Sequence, residues 1–216
     1  MSKETQNRLD QKDKLLQAIL PHVAFDGWTD TALEAGARDL GVGKTKVDRL
    51  FPGGMRELVG HFGDWADREM LTNLGEIDLV PMKLRERVSL AVRTRLTALS
   101  PHRETVRRTV SYLSLPSNFP IGVSAIYKTV DLIWYTVGDK SADFSFYTKR
   151  ALLAGVISAT SLFWINDDSE DSADSWAFLD RRIADVLKIP VLRSRLENIA
   201  CRAPDPFKIL RILRAR

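Results

Sequence analysis

Apolar residues along this chain recur at three- and four-residue spacing, the period of a helix packed on one face, and no stretch alternates as a strand would. The pattern predicts a first helix from about Gln11 to Phe25, with Leu15, Leu16, Ile19, Leu20 and Val23 on its inner face. Gly27 breaks it, and Thr29 or Asp30 caps a short second helix through about Leu40. A turn at Gly41 leads to a third, Lys44 to Phe51, and Pro52-Gly53-Gly54 separates it from a fourth that runs to about Leu74. Pro81 suits the first turn of a helix ending near Leu99, and another starts at Ser100-Pro101 and stops near Leu115-Pro116. Ile121 to Val137 reads as a long helix ended by Gly138. Asp143 to Ile165 is the most apolar helix, and an acidic loop, Asn166 to Asp171, separates it from a helix over Asp174 to Leu187. The expectation is an all-α bundle in three parts: a helix-turn-helix-like unit at 1–75, a helical bundle at 76–189 and a basic amphipathic tail at 190–216.

The 216 residues suffice for a full core. The net charge of +4 is unevenly placed: from Lys188 to Arg216, eight Lys/Arg stand against Glu197 and Asp205, a net +6, so the remainder carries −2. Basicity is a property of the tail. There Asp205 and Pro206 suit the start of a last helix, with Phe207, Ile209, Leu210, Ile212 and Leu213 on an apolar face and Lys208, Arg211, Arg214 and Arg216 around it. That composition suits an interfacial helix on anionic lipid, so Phe207, Lys208, Leu210, Arg211, Leu213 and Arg214 are the candidate membrane contacts. The other reading docks the same helix on its own domain or on a second subunit. The longest apolar run, Ala151 to Ile165, falls short of the roughly 20 residues needed to cross a bilayer.

Catalytic patterns are missing. Gly41-Val42-Gly43-Lys44-Thr45 resembles part of a phosphate-binding loop, but position 38 is Arg where the motif needs Gly, and no apolar strand precedes it. His22, His61 and His102 are far apart in sequence, and the single Cys201 excludes an intramolecular disulfide framework. No residue set calls for a metal or a cofactor, and the reading is of a protein that is not an enzyme.

Thr31 to Phe51 has the form of a helix-turn-helix, and its setting is similar to TetR-type repressors through Ala32, Ala35, Leu40, Gly41-Val42, Val47, Phe51, Leu58 and Phe62. Lys44, Lys46 and Arg49 would serve phosphates and base edges. Asp48, however, stands where such repressors carry a tyrosine, and Pro52-Gly53-Gly54 where they carry a phosphate-binding lysine. A carboxylate on the DNA face opposes binding. An inherited scaffold without a DNA role is therefore preferred to a repressor with a hydrophobic effector.

Other stretches are more discriminating: Ile19-Leu20-Pro21-His22-Val23-Ala24-Phe25-Asp26-Gly27-Trp28, Leu50-Phe51-Pro52-Gly53-Gly54, Ile133-Trp134, Gly138 through Leu153 with its Asp-Phe-x-x-Tyr-Thr-x-Arg core, and Trp176-Ala177-Phe178-Leu179. Through them the chain, up to about Leu187, resembles the TetR-like accessory proteins of ubiquinone (coenzyme Q) biosynthesis. The resemblance implies a protein that binds an isoprenoid quinone precursor or a phospholipid and presents it to demethoxyubiquinone hydroxylase. It implies a homodimer as well, peripheral on the inner membrane of a bacterium or on the matrix side in a mitochondrion. The first residues lack a clear transit or secretory pattern, which points to the bacterial case.

The helix from Asp143 to Ile165 could supply one wall of a lipid space. Ala151, Gly155 and Ala159 recur at four-residue spacing and leave room, while Leu152, Val156, Phe163 and Trp164 supply apolar lining; Trp134, Tyr127 and Tyr135 read as further lining or as core. Close packing across a dimer interface explains the same small residues, and periodicity alone prefers it. By the resemblance, Ile133, Asp143, Phe146, Tyr147 and Arg150 form the face that meets the hydroxylase.

Overall fold

The computed structural model describes residues 3–138 and 145–186, without the side chains of Ser145 and Phe146. These residues form α1 (Lys3–Asp26), α2 (Asp30–Asp39), α3 (Lys44–Leu50), α4 (Gly54–Leu74), α5 (Leu84–Ala98), α6 (Arg103–Leu113), α7 (Phe119–Thr136) and α8 (Ser145–Trp164). A last described helix, α9, covers 173–186. Among the described residues there is no strand.

Local chemistry sets the boundaries. Thr29 caps α2 by accepting from the Ala32 N–H at 3.3 Å. Gly27, Gly41, Gly54 and Gly138 take positive φ where the chain turns out of or into a helix. Three boundaries differ from the sequence reading. α1 starts at Lys3, because Gln6 and Gln11 make i,i+4 side-chain bonds to Asp10 and Asn7, and Arg8 reaches the Arg49 carbonyl on α3. Pro81 stays outside α5, whose N-terminus is set at Lys83 by Glu86, which accepts the Lys83 N–H at 2.9 Å. Ser100–His102 is a 3₁₀ turn and not the opening of α6.

The core is continuous through the bundle. Leu15, Leu16, Ile19, Leu20 and Val23, the five residues read as the inner face of α1, are all buried. α2 lies so close to α1 that a Cβ added at Gly36 would stand 2.6 Å from Ile19 Cγ1 and 2.7 Å from the Ile19 Cα. Trp28 joins the helix-turn-helix to the bundle by donating to Thr109 Oγ1 on α6 at 2.9 Å, and Thr105 donates to the Leu20 carbonyl at 3.1 Å. Polar ties cross the same seams. Asp13 on α1 receives Arg68 of α4 and lies 2.7 Å from His61 Nε2. Burial lowers the His61 pKa, and the Asp13 carboxylate opposes that only in part. Buried Asp67 on α4 accepts from Arg95 Nε of α5 at 2.6 Å and from the Thr129 hydroxyl of α7 at 2.9 Å.

Candidate functional site

The most discriminating stretch of sequence falls where α7 ends and α8 begins. α7 packs one face on α4 and another on α8, so consecutive residues near its end part company. Trp134 is 5% exposed and turned into the bundle, while Tyr135 is 84% exposed. On α8, Tyr147 is 69% exposed. Between the helices, a single oxygen of Asp131, Oδ1, accepts from both Arg150 Nε and Nη2 at 2.8 and 2.7 Å, a charge-assisted contact that fixes α8 against α7. The Lys149 ammonium lies 5.8 Å from the centre of the Trp134 ring. Two exposed tyrosines thus sit on a clamped pair of helices, an arrangement that suits a protein interface.

Of the residues expected on a partner face, only Tyr147 is laid open among those described. Ile133 is fully buried, because its position on α7 faces the core. Arg150 is buried in its bridge to Asp131 and so positions α8 instead of presenting a charge. Asp143 and the side chain of Phe146 lie outside the described residues. Tyr135 was read as lining or core, since a tyrosine beside a tryptophan in an apolar helix gives no sign of which one faces out.

The expected lipid wall is divided by the helical period. Leu153, Val156, Ile157, Thr160 and Trp164 face the core, whereas Ala151, Gly155 and Ser158 point outward with Leu162. A Cβ at Gly155 would meet nothing within 4 Å, so this glycine makes no room for anything inside the chain. The small residues Ala151 and Gly155 therefore do not line an interior space, and Leu152 and Ala159 are only half-buried at the edge of the row. Phe163 instead stacks on Phe178 of α9, ring centres 4.8 Å apart, and clasps the two helices. Trp134 and Val156 do meet at an apolar space: with Val88 of α5, Leu153, and Ile183 and Val186 of α9 they border a cleft of about 30 Å³. Beside it, between α5 and α9, lies an open recess of about 420 Å³ bordered by Ser89, Arg93 and Asp180 among others. Asp180 accepts from Ser89 Oγ at 2.6 Å and from Arg93 NH2 at 2.5 Å, and the Arg93 guanidinium rests over Trp176 at 5.8 Å. Sequence alone could read Val88 and Ile183 only as core.

The acidic loop after α8 is a structural lock. Burial would raise the Asp167 pKa, but the side-chain and backbone hydrogen bonds of Ser169 and Ser175 outweigh it and hold it at about 2. Arg103 reaches the Asp167 carbonyl and Ser172, and Arg107 reaches Asn166 and the Ile165 carbonyl, so the loop is tied to α6. Asp171 and Ser172 take positive φ within it.

On the helix-turn-helix, Lys44, Lys46, Asp48 and Arg49 are all exposed. At the start of α4, Glu57 accepts the Gly53 N–H at 2.8 Å and the Lys12 ammonium at 2.6 Å. Burial would raise its pKa, but those two contacts together lower it, so α4 opens with a carboxylate already paired to Lys12. The tail residues Phe207, Lys208, Leu210, Arg211, Leu213 and Arg214 lie outside the described residues. Among the described residues no helix is long and apolar enough to cross a membrane, and no three His, Cys, Asp or Glu side chains gather as metal ligands would.

The fold is that of a TetR-like all-helical protein: it superimposes on a TetR transcriptional regulator from Nitrosomonas europaea with a TM-score of 0.66 and 21% identity, over 82% of this chain and 98% of that one. Residues 119–190, which hold α7, α8 and α9, match the family model described as COQ9. The chain is 35% identical to the ubiquinone biosynthesis protein COQ9, mitochondrial, of Rattus norvegicus over 82% of its length, and 34% identical to that of Homo sapiens over the same share. The Drosophila melanogaster protein of that name is 30% identical over 86% of the chain. The chain belongs to the COQ9 family of ubiquinone biosynthesis proteins. It spans 58%, 57% and 58% of the length of these three relatives.

Proposed function

We propose that this chain is an accessory protein of ubiquinone biosynthesis, not an enzyme, that binds an isoprenoid lipid intermediate and presents it to demethoxyubiquinone hydroxylase at a membrane surface. The observation that carries the reading is the neighbouring pair at the end of α7. Trp134 lines a small apolar cleft, and the next residue, Tyr135, stands in solvent, as does Tyr147 on α8. In this reading the lipid-facing and the partner-facing residue are consecutive on α7, as a protein that hands over its ligand requires. The outward row Ala151, Gly155 and Ser158 suits close packing with a second copy, in line with a homodimer. The basic amphipathic tail suits the membrane.

Mass spectrometry of lipids extracted from the purified protein tests the ligand half, with an isoprenoid species expected and a protein free of lipid counting against it. Phe146→Lys tests the partner half: loss of hydroxylase recovery in a pull-down with unchanged helix content is expected, and full recovery removes the assignment. Removal of residues from Pro204 onward should weaken liposome flotation.

A second reading, a TetR-type repressor with a hydrophobic effector, draws on the complete helix-turn-helix and on its cations at Lys44, Lys46 and Arg49. Salt-dependent binding to specific duplex DNA is its signature. The exposed Asp48 and the carboxylate of Glu57 at the start of α4 favour the first reading.

A further inference from the structure

Segments that join helices run over the surface and are normally polar. The stretch from Ile77 to Leu84, which carries the chain from α4 into α5, is not. Six of its eight residues are apolar, the exceptions being Asp78 and Lys83. Val80 is 81% exposed, Ile77 41% and Leu84 39%. Pro81 is exposed as well, and Leu79 and Met82 are half-buried. Single apolar residues on a surface mean little, but a contiguous cluster marks a place of contact. This cluster is also held in shape. The Arg87 guanidinium donates to the Met82, Val80 and Val137 carbonyls at 2.9, 3.2 and 3.1 Å, and Asp78 accepts the Val80 N–H at 2.9 Å. The backbone on both sides of Val80 is fixed while its side chain stands in water. A loop already set in this way loses little freedom when a surface covers it.

Its place in the fold points to that surface. The Arg87 bond to Val137 puts the loop at the end of the bundle where α7 stops. Leu84 and Arg85 border the small apolar cleft together with Val186, the last described residue of α9. The basic segment from Lys188 to Arg216, with its net +6, therefore starts from this same end. We propose that the α4–α5 loop is a second membrane contact, in which Val80, with Ile77, Pro81 and Leu84 around it, enters the head-group region of an anionic lipid surface to which the basic tail draws the chain. The two parts act through different forces. Glu76, Asp78 and Glu86 offset Lys83, Arg85 and Arg87, so the loop adds apolar burial and no net charge, whereas the tail adds charge. This contact rests on the reading that the chain works at a membrane surface and adds to it which part of the bundle touches lipid.

Co-sedimentation of the full chain with vesicles over a range of lipid concentrations tests the proposal. The vesicles are of phosphatidylcholine alone or of phosphatidylcholine mixed with phosphatidylglycerol. Val80→Ser should weaken binding to the mixed vesicles about fivefold, as for a valine that only half enters an apolar layer. The factor should be the same at low and high salt, since no charge is altered. Val80→Trp should strengthen binding, because indole favours the membrane interface. Both changes fall on a side chain in solvent, so helix content should stay as in wild type. Removal of residues from Pro204 onward should instead weaken binding to the phosphatidylglycerol vesicles, and most at low salt. Unaltered binding in both Val80 variants, with a loss on tail removal, overturns the loop contact and leaves the membrane reading standing. A loss in both variants would mean a disturbed fold and overturns it too. A Val80→Ser effect that vanishes at high salt overturns the apolar mechanism. Vesicle binding unchanged but hydroxylase recovery lost would give the loop to a protein partner and overturn the lipid assignment. If the wild-type chain binds neither vesicle, the membrane reading falls and the loop contact with it.

Discussion

The α1–α4 half and the α7–α9 half treat their polar groups in opposite ways. In the first, helices are sewn together: Asp13 holds Arg68 and His61, Lys12 holds Glu57, and Thr29 caps α2. In the second, the Nε1 atoms of Trp134 and Trp164 and the hydroxyl of Thr160 are buried without partners, and Tyr135, Tyr147 and Leu162 face solvent. The first half satisfies itself. The second leaves buried donors unmatched among the described residues, and it is the half that the COQ9 family model covers. The helix-turn-helix half is closed by its own packing, while the α7–α9 half leaves donors and apolar faces over.

Breaking the self-satisfied half should cost most. Asp67→Ala leaves Arg95 charged and half-enclosed without its carboxylate, and is expected to cost about 3 kcal/mol or more in a urea titration. A loss below about 1 kcal/mol would mean that water serves Arg95 as well as Asp67 does. Gly36→Ala comes next, at about 1–3 kcal/mol, because its Cβ would press on the Ile19 and Ala18 backbone and α1 and α2 would have to separate. An unchanged melting temperature would refute that close approach.

The acidic loop between α8 and α9 should respond to acid. A carboxylate whose pKa is lower in the folded state stabilises the fold above its unfolded value, and the contribution disappears as the pH falls through the folded one. For Asp167 that window runs from about pH 4 down to about 2. Tryptophan fluorescence from Trp164 and Trp176 should follow the loss, and Asp167→Asn should remove this part of the acid transition. A variant with the same acid profile as wild type would show that other carboxylates govern it. The smallest effect is expected at Gly155. Within a single chain, Gly155→Ala should stabilise α8 by up to about 1 kcal/mol, since the added methyl meets nothing. Destabilisation, with a shift toward monomer in sedimentation, would place a second copy against this face and sharpen the contrast between the halves.

Much of this was legible beforehand. The five buried positions of α1, the Thr29 cap, the glycine stop at Gly138 and the separation of the last two described helices follow from periodicity and turn chemistry, which act locally. The site was legible only in outline. The row Ala151, Gly155, Ala159 announced that something packs closely on α8, but small residues look the same whether they face a cavity or another protein. Ile133 and Tyr135 stand two places apart in one apolar run, and nothing in that run says that the first is core and the second is surface.

The sequence by itself determined the helices, their order, the helix-turn-helix with its opposing Asp48, and the family signature around Asp143 and Tyr147. Each depends on neighbours a few residues away along the chain. The tertiary structure alone decided which side of α8 is buried, that Arg150 spends its charge on Asp131, and that Trp134 borders one apolar cleft with Val88 and Ile183. Residues 88, 134 and 183 come together only because α5, α7 and α9 converge, and no local pattern records a neighbour that distant in the chain.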